Sequence, residues 1–181
     1  MIRVIGEIKE FTLADYFDQI DENSFNSVVL ISSPGGDIGY TLAMLDDIDQ
    51  NKRNTYATGI CQSAAAVLAT AGEGKRTCTM DTLFRFVPPE LEKMKDPNTG
   101  EEIEKVPDLR YFLHSILVAR LAGRLKVPVA DAALHFDGEF ITSLRAKELG
   151  LIDEVIGESD GQLNRVSGCE TGARWPIRED E

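Results

Sequence analysis

The sequence predicts an α/β fold with a mainly parallel sheet and flanking helices. Three observations carry the prediction. Val28-Val29-Leu30-Ile31 is a continuous apolar run, and such runs mark strands covered on both faces, as parallel sheets require. Short β-branched segments alternate with segments of helical period along most of the chain, which is the order of strand–helix–strand units. Ser33-Pro34-Gly35-Gly36 then breaks the chain between a strand and a helix. Open sheets of this class bind ligands where strand ends turn into helices.

Ile2 to Ile8 reads as the first strand, closed by Gly6-Glu7. Thr12, with Asp15 three residues on, reads as the N-cap of a helix carrying Leu13, Tyr16, Phe17 and Ile20. Residues 27–32 form the second strand. Beyond the Gly-Gly turn, Ile38, Leu42, Leu45 and Ile48 lie at helical spacing. Thr55 to Ile60 is a third strand, and the alanine-rich Ser63 to Ala71 a helix. Thr82 to Val87 reads as a buried strand stopped by Pro88-Pro89. Residues 90–108 differ in kind. They are dense in Glu and Lys, with Asp96-Pro97-Asn98-Thr99-Gly100 as a turn, and read as a charged hairpin or loop. Leu109 to Leu125 is the longest helix, with Leu109, Leu113, Ile116, Leu117 and Leu121 in one apolar stripe. A short helix from Val129 to Leu134 has Pro128 at its first turn. Residues 142–149 form a helix stopped by Gly150, and Leu151 to Ile156 a closing strand. Residues 157–181 are polar and aperiodic, a C-terminal tail beyond a single domain over 1–156.

Composition narrows the partners. A chain of 181 residues suits one domain. It carries 31 acidic against 19 basic residues, net −12. Such a surface repels phosphate, so neither nucleic acid nor an anionic membrane is an expected partner. No stretch approaches the roughly 18–20 apolar residues of a membrane helix, and the N-terminal apolar run is too short for a signal peptide. Cys61, Cys78 and Cys169 are odd in number and lack C-x-x-C spacing. They form no disulfide framework and fit a reduced, cytoplasmic protein. There are two histidines, His114 and His135, so any histidine-dependent chemistry must use one of them.

Two junctions bear on chemistry. In Ser33-Pro34-Gly35-Gly36-Asp37 the paired glycines permit positive φ and a close approach of backbone to a ligand. Their N–H groups can face a developing negative charge; the plainer reading is a tight turn. In Gly59-Ile60-Cys61-Gln62-Ser63-Ala64-Ala65-Ala66 a serine sits at a strand-to-helix junction among small residues. It is either a nucleophile with the next N–H as an oxyanion donor or a helix N-cap.

Taken together and in this order, the two junctions resemble the proteolytic subunit of the Clp protease family, within the ClpP/crotonase fold. The resemblance also takes in Val4-Ile5-Gly6-Glu7-Ile8, the turn Ala71-Gly72-Glu73-Gly74-Lys75-Arg76 and the closing Ala146-Lys147-Glu148-Leu149-Gly150-Leu151-Ile152-Asp153. It spans about Ile2 to Ile156. The short start before Gly6-Glu7 resembles the phage-associated branch rather than the housekeeping enzyme with its long axial segment.

The resemblance implies a serine endopeptidase subunit working in a homo-oligomeric ring on peptide substrates, fed by an AAA+ unfoldase or paired with a catalytic homologue, without cofactor or metal. It implies Ser63 as nucleophile and the N–H groups of Gly36 and Ala64 as oxyanion hole. The family's histidine maps to Val87, or to Phe86 if the register slips, and its aspartate to Gly138, which Asp137 and Glu139 flank. Valine and glycine cannot move a proton. His135 as base and Asp137 as its orienter are the replacement candidates; His114 and the lysines Lys93 and Lys95 are further ones. The family's glycine-rich groove strand and its approach to the stacking helix correspond to 90–108, and the long helix to the assembly helix. Three readings follow: a Clp-type peptidase, a catalytically inert member that assembles or binds, and a crotonase-like CoA-thioester enzyme.

Overall fold

Sheet order is set by where each apolar run finds cover. The computed structural model describes residues 1–22, 28–88, 93–95, 102–104 and 109–157. In chain order its elements are β1 (Ile2–Ile5), α1 (Glu10–Glu22), β2 (Val29–Ser33), α2 (Ile38–Gln50), β3 (Thr55–Gln62), α3 (Ala64–Thr70), β4 (Arg76–Thr79), β5 (Leu83–Arg85), β6 (Lys93–Lys95), β7 (Glu102–Glu104), α4 (Leu109–Leu125), α5 (Val129–Ala133), β8 (Phe140–Thr142), α6 (Ser143–Glu148) and β9 (Glu154–Ile156). β1, β2, β3, β4 and β9 lie side by side and pair in parallel. The expected mainly parallel α/β architecture is therefore observed.

The sheet branches at β3. Its first half, Thr55 to Ala57, pairs with β4. Its second half, Ile60 to Gln62, pairs in parallel with β5, which in turn pairs antiparallel with β8. The change of partner falls at an irregularity in the ladder: Ile31 faces Ala57, yet Ser33 faces Cys61. The extra residues of β3 bend the strand, as bulges do. Gly59, at φ +64°, supplies the left-handed residue there. The bend carries the end of β3, and Ser63 after it, away from β4.

Below the sheet, every residue of α3 is buried. Its alanines let the helix lie close to β2 and β3 while α2 and α4 cover it. Ile2, Val4, Val29, Ile31, Met44, Leu45, Ile48, Phe84 and Phe86 complete the core. Only the C-terminal half of the α4 stripe is used this way. Leu117 and Leu121 are buried, whereas Leu109 is 70% exposed and Phe112 is 62% exposed. The predicted continuous stripe thus divides where α4 leaves the core.

Ion pairs tie the layers. Arg120 of α4 pairs with Asp46 and Asp49 of α2. Asp153 accepts from the Arg76 backbone N–H (2.8 Å) and guanidinium, its own N–H donates to the Arg76 carbonyl (2.9 Å), and Arg124 lies nearby. Two segments read as separate signatures, Lys75-Arg76 and Leu151-Ile152-Asp153, are therefore the two halves of one contact.

Several boundaries differ from expectation. α1 begins at Glu10, two residues before Thr12. Thr12 instead reaches back, accepting from the Lys9 N–H and donating to the Glu7 carbonyl, the third-position half of a capping box. β4 and β8 were not anticipated; both are short, and β4 carries a charge. β6 and β7 pair antiparallel, while the turn between them lies outside the described residues, as does the tail from 158 on.

Burial pushes the Asp153 carboxyl up, but the Arg76 hydrogen bonds and the charges of Arg76 and Arg124 outweigh it and hold its pKa below the usual value. The pair therefore stabilises the fold above the ordinary aspartate pKa, near 3.9, and that contribution is lost as pH falls through the lower folded value. Asp153→Asn should cost about 1–3 kcal/mol at pH 7. Thermal unfolding of both proteins should show this gap closing below about pH 4.

Candidate active site

The β3–α3 junction places Ser63 in an unusual backbone conformation, φ 51° and ψ −127°. Such a conformation costs on the order of 1–3 kcal/mol in a non-glycine residue and must be held by its surroundings. Three contacts hold it. The Ser63 N–H donates to the Arg85 carbonyl on β5 at 2.7 Å, and its carbonyl accepts from Ala66 at 3.0 Å. The Gly35-Gly36 turn presses on the other side: a Cβ on Gly35 would lie 2.7 Å from the Gln62 carbonyl oxygen and 2.9 Å from the Ser63 Cβ. Ser63 is half-buried, and its hydroxyl makes no capping hydrogen bond. Ser63 thus stands at the N-cap position of α3 without its side chain serving as the cap.

The turn is fixed in its own right. Gly36, at φ +149°, bridges to Ile8, which donates to the Gly35 carbonyl and accepts from Asp37. Gly35 donates to the buried Ser33 hydroxyl. No acceptor for the N–H groups of Gly36 or Ala64 is found among the described residues. A Cβ on Gly35 would stand 3.4 Å from the Ala64 nitrogen, so the turn and the start of α3 share one small region beside Ser63.

The two mapped partner positions converge there too. The Gly138 N–H donates to the Phe86 carbonyl at 3.0 Å. Strand alternation buries Phe84 and Phe86 in the core and leaves Val87, half-buried, on the Arg85 face. Residue 87, not 86, thus stands on the side away from the core. Gly138 has φ +82°, a conformation unfavourable to any side chain.

The replacement candidates fare as follows. Asp137 is exposed, and its carboxylate closes a turn by accepting from the Glu139 N–H at 2.8 Å. His135 follows α5, half-buried, with its N–H on the Ala132 carbonyl. Among the described residues it makes no hydrogen bond to Asp137 or Ser63. His114 packs edge-on against Phe136, which packs on Phe86. Burial lowers its pKa, opposed by a backbone hydrogen bond with Val87, and its buried Nε2 has no hydrogen-bond partner among the described residues. It lines a cavity of about 310 Å³ with Tyr111, Val118, Phe136 and Pro88. Lys93 and Lys95 lie on β6, and their side chains fall outside the described residues. Cys61, two residues before Ser63, is no rival nucleophile: burial pushes its thiol up to about 12.

Sequence reasoning passed over Arg85. Its Nε donates to the Gly138 carbonyl at 2.6 Å, and its guanidinium lies 5.2 Å from the Phe140 ring centroid. A single charge inside the buried strand Thr82 to Val87 was the available signal.

A strand-to-helix junction with an uncapped serine beside a Gly-Gly turn, within a mainly parallel sheet, can set a hydroxyl beside backbone N–H donors. The comparisons name the family. The model described as Clp protease matches residues 16–159. The ATP-dependent Clp protease proteolytic subunit of Bacteroides thetaiotaomicron is 30% identical over 148 residues, 78% of this chain and 64% of that protein. Proteolytic subunit 1 of Rhodopirellula baltica is 30% identical over 131 residues, 70% of this chain and 56% of that protein. The crystal structure of the ClpP protease catalytic domain from Plasmodium falciparum superposes with a TM-score of 0.67 at 24% identity, covering 88% of this chain and 85% of that one. The chain belongs to the Clp protease family. It spans less than two thirds of the length of the two relatives. Among the described residues, no helix is long and apolar enough to cross a membrane.

Because a Cβ on Gly36 would sit 2.3 Å from the Ile8 carbonyl oxygen, Gly36→Ala should lose about 2–4 kcal/mol in denaturant unfolding. Gly123→Ala, at an α4 position with nothing within 4 Å, should instead gain up to about 1 kcal/mol.

Proposed function

We propose that this chain is a Clp-type serine peptidase subunit in which Ser63 attacks the peptide carbonyl and the N–H groups of Gly36 and Ala64 hold the resulting oxyanion. The observation that carries this reading is Ser63 itself: a strained backbone with the hydroxyl spared from capping. In the attack the Ser63 Oγ bonds to the carbonyl carbon, the carbonyl electrons move onto oxygen, and the hydroxyl proton must go to a base. Residues 87 and 138 supply none. We place the base on a neighbouring subunit or a catalytic homologue within an oligomeric ring. The exposed Leu109, Tyr111 and Phe112 of α4 support assembly through that helix. Folded substrates would be fed to it by an AAA+ unfoldase as partner, in the cytoplasm.

One observation favours a second reading, an inert member that assembles or binds peptide: the triad positions hold valine and glycine. A fluorophosphonate probe separates the two. Intact mass should show one adduct on the wild-type chain and none on Ser63→Ala; equal spectra would leave the inert reading. If residue 87 is the base position, Val87→His should raise the labelling rate about tenfold or more.

A further inference from the structure

Arg85 stands apart from the other arginines of the fold. Arg53 is paired with Asp47, Arg76 and Arg124 with Asp153, and Arg120 with Asp46 and Asp49. These are the buried and half-buried arginines whose side chains the structure describes, apart from Arg85, and each has a carboxylate. Arg85 is half-buried too, yet among the described residues it has none. Its Nε is spent on the Gly138 carbonyl, and the Phe140 ring covers one face of the guanidinium. The remaining N–H groups have no protein acceptor among the described residues. A chain with 31 acidic residues does not lack carboxylates to place there.

The terminal N–H groups of the Arg85 guanidinium keep access to solvent, so they are open to a ligand at the surface of the site. Its planar fork matches a carboxylate in two parallel hydrogen bonds. The Nε bond and the Phe140 contact orient the fork before any ligand arrives. The Arg85 carbonyl accepts the Ser63 N–H while its Nε donates to the Gly138 carbonyl, so Arg85 links the Ser63 junction to the Gly138 turn.

We propose that Arg85 is a specificity-determining residue that receives a carboxylate of the bound peptide, from an acidic side chain or from the chain terminus. The inference rests on the peptide-binding reading of the Ser63 site. Its test is fluorescence anisotropy with labelled short alanine–leucine peptides carrying Glu or Gln at one position, each with a free or amidated C-terminus. The carboxylate-bearing peptides should bind about tenfold more tightly than their neutral counterparts, the worth of one charge-assisted contact. Which pair separates, Glu against Gln or acid against amide, identifies the source of the carboxylate. Arg85→Gln should abolish the preference, and Arg85→Lys should keep part of it. Equal affinities in the wild-type chain, no measurable binding, or a preference that persists in Arg85→Gln would each overturn the role. The wild-type comparison stands even if a variant fails to fold. Ser63 labelling is scored separately: adducts without a carboxylate preference remove only Arg85's role, and a preference without adducts removes only the hydrolase.

Discussion

The site depends on one steric constraint, the contact of the Gly35-Gly36 backbone with Ile8 on one side and the Gln62–Ser63 peptide on the other. Neither glycine has room for a methyl group. The turn is thereby wedged between the end of β1 and the end of β3, and Ser63 is kept in a conformation that an isolated serine would leave. The strain at Ser63 and the two glycines are one arrangement: the turn can press on the junction only because it has no side chains to keep it away.

The bulge in β3 is the second requirement. A strand that continued straight beside β4 would carry Ser63 past Thr79, the last residue of β4, and not alongside β5. By changing partner at residues 58–60, β3 pairs its last residues with β5, whose Arg85 carbonyl then anchors the Ser63 N–H. β8 joins the far side of β5 and brings Gly138 to Phe86. Three stretches distant in sequence thus meet because one strand bends. The Arg76–Asp153 pair closes the opposite branch of the sheet by fixing β9 beside β4.

The parallel sheet was legible because the run over Val28 to Ile31 is apolar without interruption, and the Gly-Gly junction because no other residue pair makes that turn. Ser63 was legible only in combination: alone it reads as a helix cap, and only the placed backbone shows that its hydroxyl does not serve as one. Thr12 misled because its side chain does cap the helix start, but from inside the first turn. β4 and β8 stayed hidden because three- and four-residue strands have no room for a period. The α4 stripe is real as a pattern, yet the chain cannot state which half meets the core. Arg85 escaped because its meaning depends on which groups face it, and that is invisible until the neighbours are placed.

Charge at the site is opposite in sign to what a serine triad would require. There a neutral imidazole takes the proton and a carboxylate stabilises the resulting cation. Here the residue that the resemblance maps to the carboxylate is a glycine whose carbonyl is held by an arginine, and the one it maps to the base is a valine with His114 against its backbone. A guanidinium cannot accept a proton near neutral pH, and its positive charge would oppose a second cation on an imidazolium nearby. Arg85 and a triad of the usual kind therefore compete for the same electrostatic space. What the arrangement favours is negative charge: an oxyanion at the Gly36 and Ala64 N–H groups and a carboxylate at the guanidinium. On the proposed reading this charge suits anionic groups and opposes an imidazolium, so a proton acceptor would reach Ser63 from a side away from the guanidinium.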